Sequence, residues 1–158
     1  MIISRPHKPY RDIWLKAIPV LLFFFNLLLK LWHITSRDIA LDEPFTIFHA
    51  QAEFSDLFIM LKNENNPPLF FVLLHFWIKI FGISPLSVRF MPVLFSALSA
   101  MIIFLLGKRW FSVTAGLVAA LLFTFSDFQM VFAHEARVYP LFILLTVLSM
   151  LVIFSGSN

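Results

Sequence analysis

Long apolar stretches separated by short charged segments make up most of the chain. An α-helix needs roughly 20 mostly apolar residues to cross a bilayer, and four of the stretches approach that length. They predict membrane spans over about 13–32, 86–107, 110–132 and 138–156. Lys16 and Lys30 lie near the two ends of the first span, where we expect their ammonium groups to extend to the lipid headgroups.

A fifth apolar stretch, Leu69–Gly82, is shorter than the other four. As a helix it rises about 21 Å, which is less than the ~30 Å hydrocarbon core of a bilayer. His75 and Lys79 lie four residues apart on one of its faces, which predicts a polar stripe turned to the headgroups. We therefore predict an interfacial helix over about 68–82.

The basic residues predict the orientation in the membrane. The N-terminal tail carries Arg5, Lys8, Arg11 and Lys16 against the single acid Asp12. The positive-inside rule places this tail in the cytoplasm, and an interfacial fifth stretch places Lys108 and Arg109 there as well. The acidic loop over 33–68 and the turn over 134–139 are then outside. No A-x-A-like cleavage site follows the first span, so we expect an uncleaved signal anchor.

Residues 43–62 of the outer loop show helical periodicity. One face carries Ile47, Ala50, Phe54, Leu57, Phe58 and Leu61, and another carries His49, Glu53 and Asp56. Pro44 suits the first helical position, which makes Glu43 the predicted N-cap and leaves Asp42 just outside the helix N-terminus. The pattern as a whole predicts an all-α integral membrane protein with about four transmembrane helices and two outer interfacial helices.

Composition supports the membrane class. Of the 158 residues, 60% are hydrophobic and 13% are charged, and the mean hydropathy is +0.89. Typical soluble domains are about 45–50% apolar and about 25% charged, so soluble globular, disordered, coiled-coil and collagen classes are excluded. The absence of cysteine excludes disulfide scaffolds, thiolate zinc sites and cysteine nucleophiles. The net charge of +3 comes from scattered residues, and we expect no nucleic-acid partner.

Asp42 and Glu43 are the first candidates for chemistry. A carboxylate beside a helix N-terminus is kept ionised and held in a fixed orientation. It can act as a general base or orient an acceptor. On spacing alone, a plain capping pair is the simpler explanation.

The turn from His134 to Pro140 is the second candidate, because it brings three ionisable groups and Tyr139 between two predicted spans. Arg137 suits a lipid phosphate, since a guanidinium binds phosphate through two parallel hydrogen bonds. A solvated turn with an interfacial aromatic residue explains the same pattern and is the simpler alternative when the turn is taken alone.

Three further positions have open interpretations. Arg89 either pairs with an acid of the outer loop or contacts a phosphate. Asp127, near the outer end of the third span, is either a functional carboxylate or the mark of a frayed helix end. No cofactor is implied. A divalent metal is possible but has no support in ligand spacing, because no HxxxH or HExxH pattern is present.

Five short motifs occur in an order that resembles a known family. They are Leu41-Asp42-Glu43-Pro44, Asn66-Pro67-Pro68-Leu69-Phe70-Phe71, Phe81-Gly82, Ser87-Val88-Arg89-Phe90 and Glu135-Ala136-Arg137-Val138-Tyr139. The order resembles that of membrane glycosyltransferases that use polyprenyl-phosphate sugars, the protein O-mannosyltransferase and aminoarabinose-transferase-like group with a GT-C fold. The resemblance runs from about residue 13 to the end of the chain.

The resemblance implies an inverting sugar transfer from a polyprenyl-phosphate donor to a lipid or protein acceptor on the outer face of the cell (inner) membrane. It implies that Asp42, with Glu43 beside it, is the catalytic or acceptor-orienting carboxylate. Arg137 and Tyr139 would lie near the lipid phosphate, with Arg89 in support. Asn66 stands where the family often has His or Lys before Pro-Pro; it can donate a hydrogen bond but cannot neutralise a phosphate. Two further site candidates are His134 and Glu135.

Members of this family are several times longer, so we expect the chain to be the N-terminal part of such an enzyme. The alternatives are a non-catalytic membrane protein, such as a subunit of a lipid-carrier transporter, and an inactive remnant. A transporter is expected to carry polar groups near the bilayer midplane, often at broken helices. The predicted spans are nearly free of such groups, which favours surface chemistry.

Overall fold

A computed structural model describes residues 9–32, 34–36, 38–39, 42–62 and 66–155 of the chain. All regular structure in these residues is helical. The eight helices are α1 (Pro9–Leu31), α2 (Glu43–Gln51), α3 (Phe54–Leu61), α4 (Pro68–Phe81), α5 (Pro85–Trp110), α6 (Val113–Phe125), α7 (Asp127–Ala133) and α8 (Tyr139–Ser155). Arg5, Lys8 and Leu41 lie outside the described residues.

Helix α5 is the centre of the fold, and α1, α4, α6, α7 and α8 all pack against it. The α5–α6 contact is very close because two glycines face each other. A Cβ added to Gly107 would lie 2.6 Å from the Cα of Gly116. Ser112 begins α6 as its N-cap, accepting a hydrogen bond from the backbone N of Ala115 at 3.0 Å.

Only part of the predicted membrane arrangement can be compared with the helices. Within the described residues, Pro85–Trp110 is long and apolar enough to cross a membrane, and α6 with α7 would make a second span if the pair counts as one. These two helices meet at an angle of 58°. The apolar helices α4 and α8 are shorter than the length a span requires. The count of four spans therefore stays a prediction.

The predicted single helix over 43–62 is two helices, α2 and α3, which corrects that prediction. Ala52 and Glu53 have extended backbone, with ψ of 159° and 145°. The break lets each short helix turn its own apolar side onto α4. The buried residues involved are Ile47 and Ala50 against Phe70 and Leu74, and Leu57 and Leu61 against Phe71. His49, predicted on the polar face, is buried with its ring centroid 4.1 Å from that of Phe45.

Lys30 does not extend to the headgroups, contrary to the expectation from its place near a span end. Its side chain is 0% exposed. The ammonium donates to Ser96 Oγ at 2.6 Å and to the carbonyl of Gln129 at 3.1 Å, and lies 5.4 Å from the ring centroid of Phe123. Helices α1, α5, α6 and α7 all contribute to this contact, because polar atoms on the neighbouring helices offer acceptors inside the bundle.

A second buried polar contact lies one turn earlier on α1. Asn26 donates from Nδ2 to Thr124 Oγ1 at 2.9 Å, and both side chains are fully buried. The predicted first and third spans are therefore less free of polar groups than the sequence suggested. The polar residues lie beside the break between α6 and α7.

The prediction that His75 and Lys79 form a polar stripe on α4 is wrong for His75. Lys79 is exposed, but His75 is buried with Nδ1 2.9 Å from the carbonyl oxygen of Ala50. The last carbonyls of a helix have no partner within the helix, so the C-terminal end of α2 supplies an acceptor that turns this ring inward.

Candidate active site

A buried ion pair between Glu43 and Arg89 lies at the N-terminal end of α5. Arg89 Nε is 2.8 Å from Glu43 Oε1, and Arg89 Nη2 is 2.6 Å from Oε2. The Glu43 side chain is 2% exposed, and the Arg89 side chain is 3% exposed. Two parallel N–H···O bonds between a guanidinium and a carboxylate fix both groups in one plane. The interpretation of Arg89 as the partner of a loop acid is the one that the structure shows.

This ion pair also holds three backbone segments. Arg89 donates to the carbonyl of Ile34 from Nη1 and to that of Asp38 from Nη2, each at 2.9 Å. The backbone N of Ala136 donates to Glu43 Oε1 at 3.0 Å. The segment after α1, the start of α2 and the turn before α8 are thereby fixed around one pair of charges.

Asp42, and not Glu43, is the N-cap of α2, which corrects the sequence prediction. The carbonyl of Asp42 accepts from the backbone N of Thr46 at 3.3 Å, while its side chain makes no capping hydrogen bond. Glu43 takes the first helical position because its side chain is drawn inward to Arg89. The carboxylate of Asp42 is left 68% exposed.

Asp42 and Arg137 form the second ion pair of the site. Arg137 Nη1 lies 3.1 Å from Asp42 Oδ2, and the Arg137 side chain is 18% exposed. The guanidinium carbon lies 5.7 Å from the ring centroid of Tyr139, within the range of a cation–π contact. The structure thus brings together Asp42, Arg137 and Tyr139, which the sequence had proposed as parts of one site.

The turn that carries Arg137 is anchored from both sides. His134 Nε2 lies 2.6 Å from the carbonyl oxygen of Lys30, which belongs to the last turn of α1. Because a carbonyl oxygen only accepts, this contact requires a proton on Nε2. The carbonyl of Glu135 accepts from the backbone N of Arg137 at 2.8 Å. His134 and Glu135 therefore shape the turn from which the Arg137 side chain extends.

Asn66 lies apart from these contacts. It is half-buried just before α4. In the described part of the chain, no hydrogen bond or ion pair joins Asn66 to the two acid–guanidinium pairs. Nor do three or more His, Asp or Glu side chains meet there in a group that could hold a metal ion.

The two acid–guanidinium pairs differ in what they can do. Glu43 and Arg89 are enclosed and satisfy each other, so they fix geometry. Asp42 is open to solvent, and its carboxylate can accept a proton or a hydrogen bond from an incoming hydroxyl. Arg137 can offer two coplanar N–H groups to a phosphate. In the structure, the Asp42 carboxylate and the Arg137 guanidinium are bound to each other.

Sequence reasoning missed the role of Lys30 and its carbonyl in this region. A signal was present, since Asn26 and Lys30 lie four residues apart and so share one face of an otherwise apolar helix. Two polar residues in that arrangement indicate a polar contact with a neighbouring helix.

The apolar helices and the charged pairs at one end of α5 are the features of an all-α membrane protein with a polar surface site. A family model described as dolichyl-phosphate-mannose-protein mannosyltransferase matches residues 65–157, which is more than half of the chain. The chain belongs to this family of membrane glycosyltransferases. No curated protein and no solved structure matches it.

The family match confirms the resemblance at the level of a mannosyltransferase-like family that uses a dolichyl-phosphate sugar donor. The matched region contains Asn66, Arg89, Arg137 and Tyr139, whereas Asp42 and Glu43 precede it. The particular member and the roles of single residues stay predictions.

Proposed function

We propose that this chain forms the core of the site of a GT-C-type membrane glycosyltransferase. The enzyme transfers a sugar from a polyprenyl-phosphate donor to a lipid or protein acceptor on the outer face of the cell membrane. The observation that supports the proposal is the Asp42–Arg137 ion pair, in which an exposed carboxylate lies beside a guanidinium of the kind that binds phosphate. The alternative of a transporter subunit has less support, because the matched family consists of transferases.

In this proposal Arg137 binds the donor phosphate. Its two N–H groups neutralise the charge that grows on the phosphate oxygen as the bond to the sugar breaks. Tyr139 supports the guanidinium from the side, since its ring centroid lies 5.7 Å from Cζ. The leaving group departs as polyprenyl phosphate and takes the bonding electron pair with it.

Asp42 serves the acceptor. Its carboxylate accepts the proton of the acceptor hydroxyl while the hydroxyl oxygen forms a bond to the anomeric carbon of the sugar. Attack opposite to the leaving phosphate inverts the configuration at that carbon. The exposure of Asp42, at 68%, supports this role because an acceptor can reach it without any rearrangement of the core.

The ion pair must open for this reaction. A separation of 3.1 Å between Asp42 Oδ2 and Arg137 Nη1 leaves no room for a sugar between them. A donor phosphate replaces the carboxylate as the partner of Arg137 and frees Asp42 for the acceptor. Arg137 is the more enclosed of the two, so Asp42 is the partner that moves away.

Glu43 and Arg89 act as positioning residues in this proposal. The carboxylate of Glu43 is enclosed and already accepts from Arg89 and from the backbone of Ala136, so an acceptor hydroxyl does not reach it. Through these contacts it holds the turn of Arg137 close to the start of α2.

The test is sugar transfer by an Asp42→Asn variant of the intact protein in membrane vesicles. Transfer should be lost, because the amide cannot accept the proton, while the amount of protein in the membrane stays normal. Asp56→Asn is the matched control, since Asp56 is an exposed acid on α3 outside the site. Retained transfer by Asp42→Asn would show that the carboxylate does not act as the base, and loss of the protein from the membrane would assign it a structural role.

A further inference from the structure

Lys30 joins the last turn of α1 to α7 and to the turn that follows α7. Its ammonium donates to the carbonyl of Gln129 at 3.1 Å, and its own carbonyl oxygen accepts from His134 Nε2 at 2.6 Å. Gln129 lies inside α7, whereas His134 directly follows the last residue of that helix. One residue of α1 therefore fixes the chain at two points five residues apart, and the second point lies three residues before Arg137.

The same ammonium is also bound to α5, the central helix. It donates to Ser96 Oγ at 2.6 Å, and Ser96 follows Arg89 by seven residues along α5. Seven residues make about two helical turns, so Ser96 and Arg89 lie on one face of α5. Arg89 holds Glu43, whose carboxylate accepts from the backbone N of Ala136. The turn before α8 is thus held from one face of α5 by two routes, through the buried ion pair and through Lys30.

Stability alone does not explain an ammonium at this position. Among the described residues, no carboxylate lies within ion-pair distance of Lys30. Its partners are the Ser96 hydroxyl, the Gln129 carbonyl and the ring of Phe123. Taking a charge out of water costs free energy that such neutral partners offset only in part, and an apolar side chain of the same volume would avoid that cost. What the ammonium adds is directed hydrogen bonds, which fix α7 at one place on α1 and α5.

We propose that Lys30 is a positioning residue of the donor site. This inference rests on the proposed function, in which Arg137 binds the donor phosphate. Lys30 touches no substrate, and it acts through Gln129 and His134 on the turn from which the Arg137 side chain extends. When the hydrogen bonds of the ammonium are lost, the turn can take several positions, and Arg137 is no longer held beside Asp42. Donor affinity should therefore fall while the fold stays intact.

The experiment measures binding of decaprenyl phosphate to the whole chain in lipid nanodiscs by native mass spectrometry, together with thermal unfolding. Lys30→Met keeps the volume and removes the directed hydrogen bonds. It should weaken decaprenyl phosphate about fivefold, within the range for residues that share a hydrogen-bond network, and leave the unfolding temperature nearly unchanged. Lys30→Gln is also neutral but donates N–H groups, so it should recover part of the affinity. An equal loss in both variants would mean that only the charge matters, and would overturn the proposal.

A double variant tests whether the effect acts through Arg137. Arg137→Ala should weaken decaprenyl phosphate, and Lys30→Met should cause no further loss in that background, because the guanidinium that Lys30 positions is gone. An equal loss with and without Arg137 would indicate a direct effect of the charge of Lys30 and would contradict a positioning role. Lys16→Met is the matched control. It removes a charge from an exposed position nearer the start of α1 and should leave binding unchanged.

Variants of His134 repeat the test without changing Lys30. His134→Leu removes the hydrogen bond to the Lys30 carbonyl and should weaken binding, whereas His134→Gln keeps an N–H donor and should lose less. If Arg137→Ala weakens binding while the Lys30 and His134 variants do not, the donor site stands and the positioning role is wrong. If Arg137→Ala leaves binding unchanged, the proposed donor site is wrong, and this inference fails with it.

Discussion

Arg137 binds the carboxylate of Asp42 with Nη1 3.1 Å from Oδ2, and the two partners differ strongly in exposure, at 18% and 68%. The guanidinium is therefore held in the protein, while the carboxylate faces outward. A phosphate that approaches from the membrane surface can replace the carboxylate without moving the guanidinium. In the proposed reaction, Asp42 is therefore the partner that moves when the ion pair opens.

The first prediction concerns Arg137. Arg137→Lys should weaken donor use, because an ammonium offers a point charge in place of two coplanar donors, and Arg137→Ala should weaken it further. Removing one partner of a desolvated charge pair costs on the order of 2–5 kcal/mol, about 30-fold or more in affinity. The measurement is transfer rate against donor concentration in membrane vesicles, with the dependence on acceptor nearly unchanged.

Arg109→Lys is the control for this prediction, because it makes the same change at the other end of α5. It should leave the donor dependence unchanged. Wild-type donor dependence in both Arg137 variants would make Arg137 an interfacial turn residue, and the donor phosphate would bind elsewhere.

The second prediction concerns the Glu43–Arg89 ion pair. Glu43→Ala and Arg89→Ala each leave a buried charge without its partner, which should cost about 3–5 kcal/mol of stability. The double variant Glu43→Leu/Arg89→Met replaces the pair by apolar groups of similar size and should be less destabilised than either single variant. Thermal unfolding in detergent, followed by helical circular dichroism, measures all three. A double variant that is at least as destabilised as the single variants would contradict coupling between these residues.

The third prediction separates packing from charge at Lys30. Lys30→Ala should destabilise the bundle by about 2–4 kcal/mol, because it leaves a cavity among α1, α5 and α7. Lys30→Met keeps the volume and removes a buried charge, so it should be nearly neutral or stabilising. Lys16→Ala, at an exposed position on the same helix, should change stability by less than about 0.5 kcal/mol. If Lys30→Met destabilises as much as Lys30→Ala, the hydrogen bonds to Ser96 and Gln129 are what hold the helices together.

The sequence predicted the helices well where the signal is local. The short apolar stretch expected to form a helix over about 68–82 corresponds to α4, Pro68–Phe81, because Pro67-Pro68 and Gly82 mark its two ends. The predicted helix over 43–62 failed at Ala52 and Glu53. The segments that form α2 and α3 have the same apolar periodicity, so the sequence does not show the break between them. The break arises because each of the two helices packs its own apolar side on α4.

The charged residues that form the two ion pairs could be picked out from the sequence, but which of them pair with each other could not. Asp42, Glu43, Arg89 and Arg137 stood out as charged residues at the ends of apolar stretches. Which acid meets which guanidinium depends on how α2, α5 and the turn before α8 pack, and that arrangement has no periodic signature in the sequence. The inward turn of Lys30 was missed for the same reason, since its acceptors lie on other helices.

The fourth prediction concerns the α5–α6 contact. Gly116→Ala should destabilise the fold by about 1–3 kcal/mol, because the new Cβ would lie 2.5 Å from the carbonyl oxygen of Phe104 and the helices would have to separate. Gly82→Ala is the comparison. No atom lies within 4 Å of its Cβ position, but its φ of +72° is strained for alanine, so we expect a loss of about 1 kcal/mol. Unfolding in detergent compares the two, and an equal loss would mean that the close approach of the helices adds nothing.

The fifth prediction is that the site and the α5–α6 turn lie on opposite sides of the membrane. Helix α5 has 26 residues. At ~1.5 Å per residue such a helix exceeds the ~30 Å hydrocarbon core, so the start of α5 near Arg89 and its end near Lys108 should emerge on different faces. The basic pair of Lys108 and Arg109 favours the cytoplasm.

Cysteine labelling tests this arrangement cleanly, because the chain has no cysteine of its own. Ser55→Cys, at an exposed position on α3, should react with a membrane-impermeant maleimide in intact cells. Lys108→Cys should react only after the membrane is permeabilised. Both variants should react in permeabilised cells, which shows that each thiol is accessible. Labelling of Lys108→Cys in intact cells would place the basic turn outside. The outer-face location of Asp42 and Arg137 would then be wrong, because α5 holds the two ends apart.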